Sequence, residues 1–163
     1  MVSFPAFVRQ AGSSQVRFRI FCSNRLRLLG VSLMSDPVSN MLTSIRNAVS
    51  AERSFVDVPA AKFKVQIAAA LEREGYIWGH SVVEAGKFTA VRMNLKYGPR
   101  GERVIQAINR VSRPGRRVYV GHEDIPVVLQ GLGACLLSTS RGVLSGKEAK
   151  QAGVGGEVLC VVW

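Results

Sequence analysis

The sequence predicts an α+β fold, in which helices and antiparallel strands share a small core. Three observations predict it. Behind Asp36-Pro37, the apolar residues Val38, Met41, Leu42, Ile45 and Val49 recur at helical spacing. From Phe88 to Tyr97 the pattern instead alternates. Val91, Met93, Leu95 and Tyr97 fall on one face and Arg92, Asn94 and Lys96 on the other, as in a half-buried antiparallel strand. Near the C-terminus, the apolar runs Cys135–Leu137 and Val158–Trp163 each abut clusters of Gly and small polar residues, as short strands do.

Each element has its own signals. Asp36 offers an N-cap carboxylate, and Pro37 suits the first helical position. Arg46 and Asn47 project off the apolar face, free to meet a partner. Phe55–Val58 reads as a strand stopped by Pro59. A second helix runs from about Ala60 to Glu74, with Phe63, Ile67, Ala70 and Leu71 inward, Lys62, Gln66 and Arg73 on another face, and Lys64 flanking it. Gly75 ends it as a C′ residue. Tyr76–Glu84 is a strand and Ala85-Gly86-Lys87 a turn. Gly98-Pro99-Arg100-Gly101 is a loop that divides the chain into halves, 34–98 and 99–163. Glu102–Ser112 supports two readings: Val104, Ile105, Ile108 and Val111 have helical spacing, whereas the β-branched content favours a strand. Val118–Val120 is a short strand, Glu123–Pro126 a turn or capped helical turn, and Gly131-Leu132-Gly133 leads into the strand at Cys135. Ser145 and Glu148 have capping-box spacing for a helix through Ala152, closed by Gly153.

Residues 1–33 differ from the rest. They hold five arginines, five serines and no acid, with no apolar stretch of secretory type. Two readings stand: an organellar transit peptide, or a start assigned upstream of Met34. Both imply a disordered leader outside the fold.

The chain carries 22 Lys+Arg against 11 Asp+Glu, a formal charge of +11, which favours a polyanionic partner. No apolar run is long enough to span a membrane. Cys22, Cys135 and Cys160 match no metal or redox spacing and fit a reducing compartment. An enzyme is not expected. Ser138 and Ser140 lack a nucleophile elbow, His80 and His122 read as turn residues, and Gly131-x-Gly133 lacks the third glycine of a dinucleotide site. No cofactor or metal is expected either. Arg110, Arg113, Arg116 and Arg117 surround the turn Pro114-Gly115 as a compact phosphate clamp. Ser138-Thr139-Ser140 and Gly155-Gly156-Glu157 offer hydroxyls, bare backbone and one carboxylate. Such a surface suits the 2′-hydroxyls and base edges of RNA, although the same residues are ordinary in turns. Glu157 reads either as an edge-strand acid or as an acceptor for a base amino group.

The order of these pieces resembles the bacterial-type small-subunit ribosomal protein eight family. The resemblance rests on Asp36-Pro37 with Met41-Leu42-Thr43-x-Ile45-Arg46-Asn47, on Lys62-x-Lys64, and on Arg110-Val111-Ser112-Arg113-Pro114-Gly115. It rests also on Gly131-Leu132-Gly133, Ser138-Thr139-Ser140-x-Gly142-Val143 and Gln151-Ala152-Gly153-x-Gly155-Gly156-Glu157. It implies an α+β protein of two small domains: a helix-strand-helix-strands unit (34–98) and a C-terminal antiparallel β-rich unit with a short helix (99–163). It implies a strand for Glu102–Ser112. The partner implied is a helical segment in the central domain of small-subunit ribosomal RNA, bound early in assembly beside neighbouring ribosomal proteins. A hairpin in the family's own operon messenger is a second target. Specific contacts then fall on Ser138, Thr139, Ser140, Gly155, Gly156 and Glu157, and phosphate contacts on Arg113, Arg116, Lys62 and Lys64. The implied location is the cytoplasmic ribosome, or an organellar one if residues 1–33 are a transit peptide.

Overall fold

The computed structural model describes residues 36–85 and 88–163; the leader 1–33 and the Gly86-Lys87 turn lie outside them. The elements in order are α1 (Pro37–Ser50), β1 (Phe55–Pro59), α2 (Lys62–Arg73), β2 (Ile77–Ala85), β3 (Phe88–Leu95), β4 (Ile108–Arg110), β5 (Tyr119–Val120), β6 (Ala134–Thr139), β7 (Gly142–Ser145), α3 (Gly146–Gln151) and β8 (Gly156–Val162). They form an α+β fold with two antiparallel sheets. The first has the order β1-β3-β2. The second has the order β4-β8-β6-β7, with β5 also on β8.

The helices begin and end where local chemistry dictates. The Asp36 carboxylate accepts from the Val38 amide at 3.0 Å, so the N-cap read from sequence is present. Val38, Met41, Leu42, Ile45 and Val49 are buried on the inner face of α1. After α2, Gly75 adopts φ +78°; its amide donates to the Glu72 carbonyl and the Tyr76 amide to that of Leu71, the paired bonds of a Schellman ending. α1 ends the same way, but Glu52 takes the left-handed position, at φ +52°. Ser145 and Glu148 form the reciprocal capping box of α3.

One core joins α1, α2, the inner face of the first sheet and one face of the second. Met41, Ile67, Met93, Ile108, Leu136 and Leu159 meet there. The opposite face of the second sheet packs Cys135, Leu137 and Val158 against Ile125 and Ala149 of α3. Strand β6 therefore alternates between two cores, Leu136 to one and Leu137 to the other. In β8 a bulge opposite Leu136/Leu137 puts Leu159 and Cys160 on the same side, which explains three consecutive buried residues. Burial pushes the Cys135 thiol up to about 11 and that of Cys160 up to about 12, so both behave as packing residues.

Several side chains depart from the sequence reading. The buried inward position on the first turn of α2 is taken by Lys64, while Phe63 is half-buried. Arg73 donates to Glu148 at 2.8 Å and to the Val143 carbonyl at 3.0 Å, tying α2 to β7 and α3. His80 is a strand residue, with Nδ1 2.6 Å from Glu72, and not a turn residue. Within Glu102–Ser112 the regular strand is Ile108–Arg110. Glu102–Ala107 forms an irregular link, held where the Gln106 and Ala107 amides donate to the Trp163 carbonyl. Leu129–Gly131 makes a tight turn in which Leu129 and Gln130 hold left-handed backbone, at φ +44° and +55°, which no sequence signal announced.

Because Glu52 pays the left-handed steric cost without glycine's freedom, Glu52→Gly should stabilise the fold by about 0.5–1 kcal/mol. Its exposed ion pair with Arg103, at 3.5 Å, offsets little. Urea unfolding should show a higher midpoint at unchanged slope.

Candidate nucleic-acid interface

The candidate site is built on the start of β8. Ile108–Arg110 pairs with Val162–Cys160, and the amides of Val111 and Ser112 then donate to Leu159 and Val158. After an interruption the chain resumes: the Val118 carbonyl accepts from Val158, and Tyr119 and Val120 pair with Glu157 and Gly156. β4 and β5 are thus two parts of one run along β8, with 113–117 extruded between them. The extruded loop turns at Pro114-Gly115, where Arg113 and Arg116 exchange two backbone hydrogen bonds of 2.9 Å.

Glu157 anchors this loop. Its Oε1 accepts from the Ser112 hydroxyl and from Arg117 Nη1 at 2.7 Å. Ser112 is fully buried. Burial works against the Glu157 charge. The Ser112 hydrogen bond, the Arg117 guanidinium and, farther off, Arg110 outweigh it and hold the carboxyl below the ordinary glutamate range. Arg110 is itself engaged, donating to Asp36 at 3.1 Å and to the Leu159 carbonyl at 3.0 Å. Of the four arginines in the proposed clamp, two are paired internally. Arg113 and Arg116 are exposed, with no carboxylate at ion-pair distance among the described residues.

Pairing across three strands aligns Ser138, Glu157 and Tyr119 in one row, and Thr139, Gly156 and Val120 in the next. Directly paired side chains share a face. The structure therefore brings Ser138, Glu157 and the arginine loop together, with Gly155 and Ser140 exposed at the ends of their strands. It also adds Tyr119, 70% exposed in the same row, which sequence reasoning passed over as part of a short apolar strand. A tyrosine two residues beyond an arginine cluster was the available signal.

Other candidates have internal duties. The Thr139 hydroxyl donates to the Gly142 carbonyl at 2.9 Å and accepts from the Arg141 amide at 3.2 Å, so it shapes the hairpin turn. A Cβ on Gly156 would overlap the Ser138 carbonyl, and one on Gly155 the Val120 carbonyl. The glycine pair thus permits close packing of three backbones. Lys62 is exposed at the first position of α2, where no side chain caps the helix and no acid lies in the first turn. A cation there opposes the helix dipole, which favours a role outside stability. Lys64 points inward and donates to the Pro59 carbonyl at 3.0 Å, fastening β1 to α2.

The family model described as ribosomal protein S8 matches residues 36–163. The chain belongs to the ribosomal protein S8 family. Among its relatives, the small ribosomal subunit protein uS8 of Caldicellulosiruptor bescii is 50% identical over 128 residues, 78% of this chain and 97% of the relative. That of Rubrobacter xylanophilus is 52% identical over 130 residues, covering 80% and 98%. That of Clostridioides difficile is 49% identical over 130 residues, with the same coverage. As an S8 family member, the protein is a structural constituent of the small ribosomal subunit and not an enzyme.

Two outcomes follow for this S8 chain. Gly156→Ala should destabilise it by about 2–3 kcal/mol in urea unfolding, because a rigid backbone carbonyl fills the space. Glu157, with its lowered folded pKa, contributes stability that is complete above the ordinary glutamate range and is lost as pH falls through the lowered value. The stability advantage of the parent over Glu157→Gln should accordingly shrink on acidification through that window and hold level from there to neutrality.

Proposed function

We propose that this chain binds a helical segment in the central domain of small-subunit ribosomal RNA directly, through residues 99–163, and helps assemble that part of the subunit. The observation that carries the reading is the row Ser138–Glu157–Tyr119, lying beside a loop that presents Arg113 and Arg116. The arginines and Lys62 supply sequence-blind phosphate attraction. The Ser138 and Ser140 hydroxyls and exposed backbone at Gly155 meet 2′-hydroxyls and base edges, and the Tyr119 ring stacks on a base displaced from an irregular helix. Thr139, Gly156 and Lys64 act indirectly, by shaping the turn, the strand spacing and the β1–α2 corner. Bacterial relatives favour the cytoplasmic ribosome, with neighbouring small-subunit proteins as partners. A messenger hairpin of the same shape would occupy the same face.

Binding to a central-domain rRNA hairpin and to a random duplex, measured across a salt series, tests this. Tyr119→Ala should weaken the hairpin about tenfold and leave the duplex unchanged. Arg116→Ala should weaken both and reduce the salt slope by about one. Equal losses on both RNAs for the two variants would contradict the assignment.

A further inference from the structure

The outer face of the first sheet carries chemistry that the β8 site does not use. Strand alternation puts Phe55, Asp57, Ser81, Arg92 and Asn94 on that face, while Val58, Val91 and Met93 are buried on the other. Trp78 is the extra residue of a bulge between Ile77 and Gly79, which frees its ring from the regular alternation of β2. Phe55 is 44% and Trp78 67% exposed, and each ring holds a cation. The Arg92 guanidinium lies 4.4 Å from the Phe55 centroid, and Lys96 Nζ lies 4.8 Å from that of Trp78. With β3 between their strands, the rings flank a platform about 10 Å wide.

Charge and shape together select the occupant. Asp57, the acid on this face, is already neutralised by two 2.8 Å hydrogen bonds from Arg92. Lys96 has no carboxylate at ion-pair distance among the described residues and donates only to the Gly75 carbonyl, at 3.4 Å. Beside Phe55, a groove of about 620 Å³ between α1 and β1 is lined by Ser44, Asn47, Arg53, Ser54 and Asp57, donors and acceptors suited to a sugar-phosphate. That volume falls within the range of small-ligand sites. A protein partner would have to desolvate Ser81, Asn94 and Lys96 to reach the rings. Unpaired nucleotides would instead stack on the rings and leave their phosphates near the cations.

We propose that this face is a second RNA-binding surface, taking an unpaired stretch whose bases stack on Phe55 and Trp78 while Arg53 and Lys96 meet its phosphates. It is independent of which RNA occupies the β8 site. Anisotropy of a labelled ten-nucleotide oligouridylate on the full chain tests it, with the β8 site first saturated by rRNA hairpin. Phe55→Ala and Trp78→Ala should each weaken the oligonucleotide about fivefold or more, and Trp78→Phe should recover most of the loss. Tyr119→Ala should leave oligonucleotide affinity unchanged when assayed without the hairpin. An oligonucleotide that does not bind, that ignores the Phe55/Trp78 double variant, or that is lost on Tyr119→Ala overturns the proposal. A parent chain that fails to bind the hairpin while still binding the oligonucleotide would instead overturn the β8 assignment.

Discussion

The Glu157 carboxylate is the constraint on which the rest of the candidate interface depends. It receives the Ser112 hydroxyl at one end of the extruded loop and the Arg117 guanidinium at the other. The strand that pairs with β8 can therefore be interrupted without losing its place. A loop rich in arginine, placed beside a buried serine, would otherwise leave a polar atom unsatisfied and like charges crowded. With Glu157 and Asp36 engaging Arg117 and Arg110, the surplus charge that remains belongs to Arg113 and Arg116, both exposed.

β8 bears this role because three strands pair with it, β6 on one edge and both β4 and β5 on the other. It is buried where Val158–Cys160 lie and opens toward solvent at its Gly156-Glu157 start, behind the exposed Gly155. The glycines there have a structural reason to be small, the overlap with neighbouring carbonyls, independent of any ligand. Their smallness and their accessibility follow from the same close approach of three backbones.

Much of the fold was legible because its signals are local. The Asp36 cap, the Gly75 ending and the Ser145–Glu148 box each lie within a few residues of what they satisfy. The periodicities of α1 and β3 needed only their own neighbours. What escaped depends on register between distant segments. Arg73 looks like a surface cation until Glu148, 75 residues away, arrives at its guanidinium; Lys64 is the local exception, its Pro59 partner five residues back reached only across the corner between β1 and α2. Tyr119 gains meaning only when β5 pairs with β8. For Glu102–Ser112 the strand reading held only for the second half, since an irregular link precedes the strand Ile108–Arg110 and the helical spacing served neither. The candidate site was legible as a list of residues, but the division between those that face outward and those that hold others in place was not.

The central claim is that Glu157 acts on RNA through the arginine loop that it orders. A double-mutant cycle on hairpin-RNA affinity, combining Glu157→Gln with Arg117→Gln, tests it most directly. The account predicts that the double variant binds little worse than either single variant, the two losses being one event. Additive losses would mean that each side chain meets RNA by itself, and would contradict the claim.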